Sequence, residues 1–463
     1  MRAAHLPIPR LRPSLPFILL AGFLGVLWLA GGASRADALG QVVVRSAAWV
    51  ALIVAILFGD RPSFRGARPV LSILAAALLL TLLQLVPLPP DIWQALPGRD
   101  FFAEAAAASG QPQPWRPWSL VPGATINAAS SLIVPVVVLV LAMELKQTER
   151  SWLPGLILGL IAASTLLGLL QFSGAVFNNP LINDTAGQVS GVFANRNHFA
   201  LFTAFGCMLA PVWAFLDGRQ PQWRGPVALG LVLLFALTIL ASGSRAGLLL
   251  GVLALGLGLL LVRQGIRKVL SRYPRWVFPA LIAGIVGVIA IFVLLSVAAD
   301  RAVSIDRMLA MDTGQDLRRR ALPTVLRMID TYFPMGSGLG GFDPIFRIHE
   351  PFELLSPLYF NHAHNDFLEI ALDAGLAGLL LLLAALLWWA WASVHAWRSG
   401  PSVRNALPKL GSAMLLLVIV ASIIDYPART PMMMAMIVLA GVWLSDRVEA
   451  RGGSALPKSS QPL

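Results

Sequence analysis

The sequence predicts an all-α polytopic membrane protein with about twelve transmembrane helices, and three observations indicate this fold class. Hydrophobic residues make up 57% of the 463 residues and charged residues only 13%, whereas a typical soluble domain has roughly 25% charged residues. Apolar runs of about 20 residues recur along the chain, and each is long enough to cross a hydrocarbon core of roughly 30 Å. Short basic segments separate these runs, as expected for loops at a membrane surface.

The apolar runs are predicted to form a single transmembrane bundle over residues 1–463. Their approximate bounds are 15–33, 41–58, 69–88, 124–144, 152–173, 198–216, 226–241, 247–262, 277–299, 374–394, 408–424 and 431–446. The first run has an alternative interpretation as a cleaved signal peptide, because a basic lead precedes it and Ala36-Asp37-Ala38 follows it. A second span follows at once, which favours a retained helix.

Basic residues predict the orientation of the bundle. Of the 35 Lys and Arg residues, 21 fall in the two terminal segments and in alternate loops such as 263–276, and 14 fall on the other side. The side richer in basic residues is normally cytoplasmic. We therefore expect a multi-pass protein of a bacterial inner membrane with both termini in the cytoplasm. The net charge of +12 is spread over these loops, so no nucleic-acid partner is expected.

Three segments on the predicted periplasmic side are longer than simple turns, namely 89–123, 174–197 and 300–373. Segment 300–373 is the largest periplasmic element, with helical patterning around 316–331 and a Gly-rich turn at 336–341. That turn is a weak signal for a phosphate cradle, because it lacks the Lys and Ser/Thr of a P-loop. Long segments on a rigid scaffold often carry function, whereas residues 450–463 are predicted to be a disordered cytoplasmic tail.

Cationic and imidazole side chains from distant parts of the chain map to this periplasmic side. They are Arg196, His198, Arg245, Arg318, Arg319, Arg320, His362 and His364. Cations at a membrane surface can bind an anionic group, and a diphosphate is a natural choice. Each residue alone has a simpler explanation, as an interface anchor, a helix cap or a solvated charge. Arg245 lies in a tight turn between two short spans, where an unpaired arginine is costly, and this favours a functional role.

His364 precedes a run in which Asn365, Glu369 and Asp373 recur every four residues. This spacing predicts a helix with one polar face that leads into the span at 374–394. An imidazole can accept a proton near neutral pH, so His364 is a candidate general base. The alternatives are a histidine that caps the helix and an acidic face that is only a solvated surface.

Four ordered elements of the sequence resemble the O-antigen ligase and polymerase superfamily. The first two are Gly191-Val192-Phe193-Ala194-Asn195-Arg196-Asn197-His198 and Ser242-Gly243-Ser244-Arg245-Ala246-Gly247. The third is an arginine followed by Gly336-Ser337-Gly338-Leu339-Gly340-Gly341-Phe342. The fourth is His364-Asn365, followed after nine residues by Gly375 and then by Gly378. Together they cover roughly residues 190–380.

This resemblance implies a GT-C-like membrane transferase that takes a glycan from an undecaprenyl diphosphate carrier, inverts the anomeric carbon and needs no metal or other cofactor. It implies that His364 is the base and that Arg245 contacts the diphosphate. Arg318 best matches the arginine before the Gly-rich turn, and Leu322 stands where the family often has an aromatic residue. The full set of predicted donor-binding residues is Arg318, Arg320, Arg196, His198 and Asn365.

The chemistry of the residues is compatible with such a transferase. No Asp-x-Asp metal motif occurs in the predicted periplasmic loops, and arginines can neutralise a leaving diphosphate instead. The acceptor stays open between lipid A-core, another glycan and a protein, so polymerase and protein-glycosylation activities are alternatives. A small-solute transporter, for example of bicarbonate, is an alternative from another class. Transporters place ionisable residues near the bilayer midplane, whereas the spans predicted here are nearly free of them.

Overall fold

The computed structural model describes residues 12–174, 179–183, 187–216, 221–276, 313–355, 360–400 and 405–446, with isolated residues between 279 and 294. Within these ranges the regular secondary structure is helical, apart from one antiparallel pairing of Pro87–Leu88 (β1) with Arg116–Pro117 (β2). Eight helical segments are long and apolar enough to cross a membrane, and three shorter helices are also apolar. The all-α, polytopic class is therefore confirmed.

The described helices are numbered here in chain order. They are α1 Leu15–Ala30, α2 Leu39–Phe58, α3 Arg68–Leu83, α4 Pro90–Gln94, α5 Asp100–Ala108, α6 Pro122–Ser131, α7 Ile133–Glu144, α8 Gln147–Arg150, α9 Leu153–Phe172, α10 Arg196–Phe215, α11 Arg224–Ala241, α12 Arg245–Leu270, α13 Thr313–Tyr332, α14 Phe342–His349, α15 Asp366–Arg398, α16 Ala406–Ser422 and α17 Pro431–Ser445.

Apolar helices stand at eleven of the twelve predicted spans, and the remaining prediction, 277–299, lies largely outside the described residues. The tail at 450–463 and residues 300–312 of the long loop also lie outside them. One predicted boundary was wrong, because helix α12 continues to Leu270, into the predicted loop 263–276. There helical backbone extends beyond the apolar run, so hydropathy alone underestimates the length of the helix. The predicted polar helix that leads into the span at 374–394 is confirmed, since α15 begins at Asp366 and has its one non-helical residue at Gly375, where the polar part meets the apolar run.

The connections predicted to share one side of the membrane meet at one end of the bundle. There the amide of Ala194 donates to Gly32 O at 3.1 Å, and the amide of Met432 donates to Gly31 O at 3.0 Å. At the opposite end Arg150 pairs with Asp446 at 2.8 Å. The end that contains Gly32, Ala194 and Met432 is called the site end below.

Helix α10 lies at the centre of the bundle and is buried along most of its length. It packs closely against α12, because a Cβ atom added to Gly247 would lie 2.4 Å from the Cβ of Ala200. The small residues after Arg245 therefore bring the first turns of α10 and α12 together. This close packing places the two helix N-termini side by side at the site end.

The Gly-rich turn packs against the start of α15. The amides of Ser337 and Gly338 donate to the carbonyls of Leu372 and Asp373 at 2.8 and 2.9 Å, and the amide of Gly340 donates to the Asp373 carboxylate at 3.1 Å. These amides are therefore engaged within the protein, which explains the turn without a phosphate cradle. Helix α13 just before the turn confirms the helical patterning predicted around 316–331.

Candidate active site

A buried carboxylate, Asp425, lies at the centre of the site end, in the connection between α16 and α17. Its side chain is only 3% exposed. The amide nitrogens of Asn195 and Asn197 donate to Oδ2 at 3.1 and 2.7 Å, and the Nδ1 of His364 lies 3.1 Å from Oδ1. The Nη2 of Arg318 is 4.0 Å from Oδ2. Three of the four sequence elements that resemble the superfamily therefore meet at one aspartate.

Asp425 is an anion because its partners outweigh the effect of burial. Burial alone would raise the pKa of the carboxyl, since the charged form loses its hydration. The hydrogen bond with His364 and the positive charges that His198, His364 and Arg318 can carry act against burial, and they hold the Asp425 pKa well below its usual range. The carboxylate therefore acts only as a hydrogen-bond acceptor near neutral pH.

His364 is held in one orientation by its backbone and by Asp425. Its φ angle of +52° lies in the left-handed region, which costs a residue with a side chain about 1–3 kcal/mol. Burial lowers the pKa of the imidazole, and the hydrogen bond with Asp425 opposes this only in part. The ring is therefore neutral near pH 7. Because the ionised carboxylate can only accept, Nδ1 carries the proton and Nε2 keeps the free lone pair.

Asn365 has a structural role in this arrangement. It is the N-cap of α15, where its Oδ1 accepts from the amide of Leu368 at 3.0 Å. Its Nδ2 donates to the carbonyl of Ile423 at 2.9 Å. Both ends of the side-chain amide therefore have protein partners, and Asn365 fixes the start of α15 against the chain that leads into Asp425. The sequence analysis instead predicts that Asn365 contacts the glycan donor.

Two helix N-termini, which begin at predicted arginines, lie next to the residues that contact Asp425. The Oδ1 of Asn197 accepts from the hydroxyl of Ser244 at 2.7 Å, while its Nδ2 reaches Asp425. Ser244 is the N-cap of α12, so Arg245 begins that helix directly beside the contact. Arg196 begins α10, between the two asparagines that hold Asp425. Helix N-termini carry partial positive charge and attract anions.

The arginine run of α13 divides between two places. Arg318 turns toward the site, where its Nη1 donates to the carbonyl of Ile424 at 3.4 Å and its side chain is 29% exposed. Arg320 instead donates to the carbonyl of Glu353, and Arg319 is exposed. Arg318 therefore lies near Asp425, whereas the hydrogen bond described for Arg320 is to Glu353 and not to a residue of the site.

His198 lies behind the site. The residue is 1% exposed, and its Nε2 is 3.9 Å from Oδ1 of Asp425. Neither ring nitrogen has a hydrogen-bond partner among the described residues. The ring of Tyr426 packs against the imidazoles of His362, His364 and His198, with centroids 4.2, 4.9 and 5.0 Å away. His198 therefore supports the other site residues from within the fold.

A second ionic cluster lies beside Asp425, around Arg429. Its guanidinium is 3.3 Å from Asp366, 3.2 Å from Glu369 and 3.8 Å from Asp373. The Nδ1 of His362 contacts Glu369 at 2.8 Å. Glu369 and Asp373 are both 0% exposed, so the interpretation of this face as a solvated surface was wrong. These ion pairs link the segment between α16 and α17 to the first turns of α15.

Sequence reasoning missed Asp425, Tyr426 and Arg429. All three fall in the short connection that follows the predicted span 408–424, which hydropathy presents as a simple turn. One signal was available, because an ionisable residue beside a span is expensive unless it is paired or functional. Asp425 is the only acidic residue between the last two predicted spans. Among the residues that the structure describes, no group of three His, Cys, Asp or Glu side chains is arranged to hold a metal ion.

Two comparisons with known proteins found similar sequences. A family model described as O-antigen ligase matches residues 230–383, which include Arg245, Arg318 and His364. The exopolysaccharide production protein ExoQ of Rhizobium meliloti (strain 1021) is 26% identical over 274 residues, which cover 58% of this chain and 60% of ExoQ. The chain thus spans about 60% of the length of this curated relative.

Proposed function

Because residues 230–383 match the O-antigen ligase family and the chain is similar to ExoQ, we propose that it transfers a glycan from an undecaprenyl diphosphate carrier to an acceptor at the periplasmic face of a bacterial inner membrane. The observation that carries this proposal is the Asp425 site, which joins residues from α10, α13 and the start of α15. A GT-C-like description of the fold belongs to the same proposal. Both termini are proposed to be cytoplasmic.

The proposed base is His364, positioned by Asp425. With Nδ1 bound to the carboxylate, Nε2 is available to take a proton from an acceptor hydroxyl. The acceptor oxygen then forms a bond to the anomeric carbon from the face opposite the diphosphate, which inverts that carbon. The bond to the diphosphate oxygen breaks, and the carrier diphosphate leaves with the electron pair. Asp425 stabilises the imidazolium that forms, so the proton has a defined destination.

The proposed diphosphate site uses arginines in place of a metal. Arg245 and Arg196 begin two helices that converge near Asp425, and Arg318 adds a third guanidinium from α13. Guanidinium groups bind phosphate oxygens through paired hydrogen bonds. Their fixed charge would stabilise the leaving diphosphate without a divalent ion. Arg320, His198 and Asn365 are proposed only as supporting residues, since the described contacts of each are to the protein.

The position of the site favours an enzyme over a solute transporter. Asp425 and His364 lie in connections between helices, and Arg196 and Arg245 lie at helix N-termini. Transporters usually bind their solutes near the bilayer midplane, at interrupted helices. A site at the end of the bundle is instead accessible to a headgroup, which is where a lipid-linked diphosphate would lie.

A second candidate function is assembly of an exopolysaccharide chain, in which the acceptor is another lipid-linked glycan. The name of the relative ExoQ, an exopolysaccharide production protein, favours this candidate. Such a polymerase would use the same lipid-linked donor and the same site. An enzyme that transfers the glycan to a protein acceptor would use this donor and this site as well.

Disruption of the gene in the source strain, followed by analysis of its surface glycans, tests the proposal. Loss of glycan-capped lipid A-core indicates ligation, and loss of long chains with retention of single units indicates polymerisation. Complementation with Arg347→Ala should restore the glycan, because this arginine is 59% exposed and pairs with Asp343 within its own helix. Complementation with His364→Ala should fail. An unchanged glycan profile in the disrupted strain would refute the proposal.

A further inference from the structure

A cavity of about 200 Å³ opens at the site end, beside the ring of Tyr426. Its polar lining comes from Ser34, Arg35, Asn183, Asn195, Asn361 and Tyr426. His198 also lines the cavity, and its two ring nitrogens have no hydrogen-bond partner among the described residues. The cavity therefore shares Asn195, His198 and Tyr426 with the Asp425 site and is otherwise bounded by residues outside that site.

The walls of this cavity are fixed by hydrogen bonds. The connection between α1 and α2 is held by the side chain of Gln41, which donates to the carbonyl of Ala33 at 2.7 Å. Gly32 packs directly against the backbone of Val192, where an added Cβ would lie 1.8 Å from the carbonyl oxygen. The segment with Asn183 is anchored by Asn179, whose Nδ2 donates to the carbonyl of Leu29 at 2.9 Å. Such a preformed wall can select a ligand.

The chemistry of the lining suits a neutral, hydroxyl-rich group. The lining contains two hydroxyl groups and three amide side chains, which carry both donors and acceptors. Asn195 is one of the three and is already bonded to Asp425 and to the amide of Asn197, so Asn183 and Asn361 are the amides that the proposal uses. The arginine in the lining, Arg35, is paired with Asp37. The carboxylate offsets the positive charge of Arg35, so the cavity attracts an anion only weakly. Pockets for drug-sized ligands measure about 300–1,000 Å³. A smaller cavity of this composition matches one sugar ring better than a diphosphate.

We propose that this cavity is a subsite for a single neutral sugar residue next to the reacting bond, lined by the α1–α2 connection, Asn183 and Asn361. The proposal rests on the proposed glycan-transfer function and adds a place for the sugar. The sugar belongs either to the glycan on the carrier or to the acceptor, because both present the same hydroxyl groups. It divides the site end into an arginine side for the diphosphate and an amide side for the glycan.

Thiol labelling of a Ser34→Cys variant tests this subsite. The one native cysteine, Cys207, is buried, so a small maleimide should report on position 34. Three probes are compared on the purified, liposome-embedded protein. They are the lipid-diphosphate-linked glycan of the source strain, the free oligosaccharide released from it, and undecaprenyl diphosphate without sugar. Ser109→Cys is the control, because Ser109 lies in an exposed part of the segment between β1 and β2.

We expect glycan-bearing probes to slow labelling at position 34 and the bare carrier to leave it unchanged. Protection by the linked glycan alone assigns the sugar to the donor, and protection by the free oligosaccharide assigns it to the acceptor. Adding Asn183→Leu should weaken protection by roughly two- to tenfold, the loss expected for one hydrogen bond. Equal protection by the bare carrier, or protection by no probe, would overturn the subsite.

This readout is separate from turnover. Glycan transfer is measured in parallel on the wild-type protein, and its absence would refute the proposed function alone. Protection of the thiol in the Ser34→Cys variant by a sugar would still support a glycan-binding cavity in that case. Normal transfer by the Ser34→Cys variant without any sugar protection would refute the subsite and leave the proposed function in place.

Discussion

At the scale of single residues, the central pair is His364 and Asp425. The contacts around them give each a distinct task, since one is neutral with a free Nε2 and the other is a buried anion. A neutral imidazole whose second nitrogen is bound by a carboxylate has its tautomer and orientation fixed. The left-handed backbone at His364 holds the ring in place at an energetic cost, which is typical of functional sites.

His364→Ala is expected to slow glycan transfer by about 10²–10⁴-fold, the usual contribution of a general base, with little change in donor affinity. A base must be deprotonated, so the rate falls as the pH drops through its pKa. Because burial lowers the His364 pKa from 6.5, the acidic limb should lie below pH 6.5 in the wild type and vanish in the variant. Single-turnover rates against pH measure this. A limb that persists in His364→Ala would exclude His364 as the base.

Arg245→Lys is expected to lose activity by about 10²–10³-fold, the typical effect of removing one hydrogen-bond donor to the developing charge. Lysine keeps the positive charge but lacks the planar fork that binds phosphate oxygens in pairs. Transfer rates of membranes with equal amounts of protein measure the effect. Near-normal activity of the lysine variant would show that Arg245 supplies only general positive charge. Arg347→Ala is the matched control, because that side chain is 59% exposed.

At the scale of elements, the start of α15 is held by the Gly-rich turn that precedes it. Gly375 has a φ of +57° inside this helix, and a Cβ atom at this position would lie 2.0 Å from the carbonyl oxygen of Pro334. The amide of Leu376 donates to the same carbonyl at 2.8 Å. The first glycine that follows His364-Asn365 is thus explained by close backbone packing.

Gly375→Ala is expected to destabilise the fold by at least about 1–3 kcal/mol, because alanine disfavours positive φ and its methyl group would overlap the Pro334 carbonyl. Thermal unfolding in detergent measures this. Gly22→Ala is the control, since nothing lies within 4 Å of its added Cβ and alanine favours a helix. Equal melting temperatures for the two variants would contradict this explanation of the turn.

At the scale of the whole molecule, the two ends of the bundle are predicted to face opposite sides of the membrane. Gln111 is exposed in the segment that leads to β2, and Arg272 is exposed after α12. A membrane-impermeant thiol reagent applied to intact cells should label Gln111→Cys and spare Arg272→Cys. The buried Cys207 provides a low background. Labelling of both positions, or of Arg272→Cys alone, would contradict the predicted topology.

Hydropathy predicted most of this architecture, because each membrane span must be a long apolar helix. It failed where a helix continues with polar residues, as in α12, which continues to Leu270. The motifs predicted His364, Arg245 and Arg318 at one end of the bundle, but they did not predict Asp425. Its role depends on contacts with Asn195 and Asn197, more than 200 positions away in sequence, and no local pattern reports such a contact.

The most direct test of the proposed mechanism compares wild type with Asp425→Asn, using purified protein in liposomes with the lipid-diphosphate-linked glycan and excess chelator. Asparagine keeps the size of the side chain but removes the charge that orients His364. We predict wild-type transfer without added metal, and for Asp425→Asn near-normal donor binding with a transfer rate about 10²-fold lower. Transfer by Asp425→Asn at the wild-type rate, or wild-type transfer that stops in chelator and returns with Mg²⁺, would contradict this mechanism.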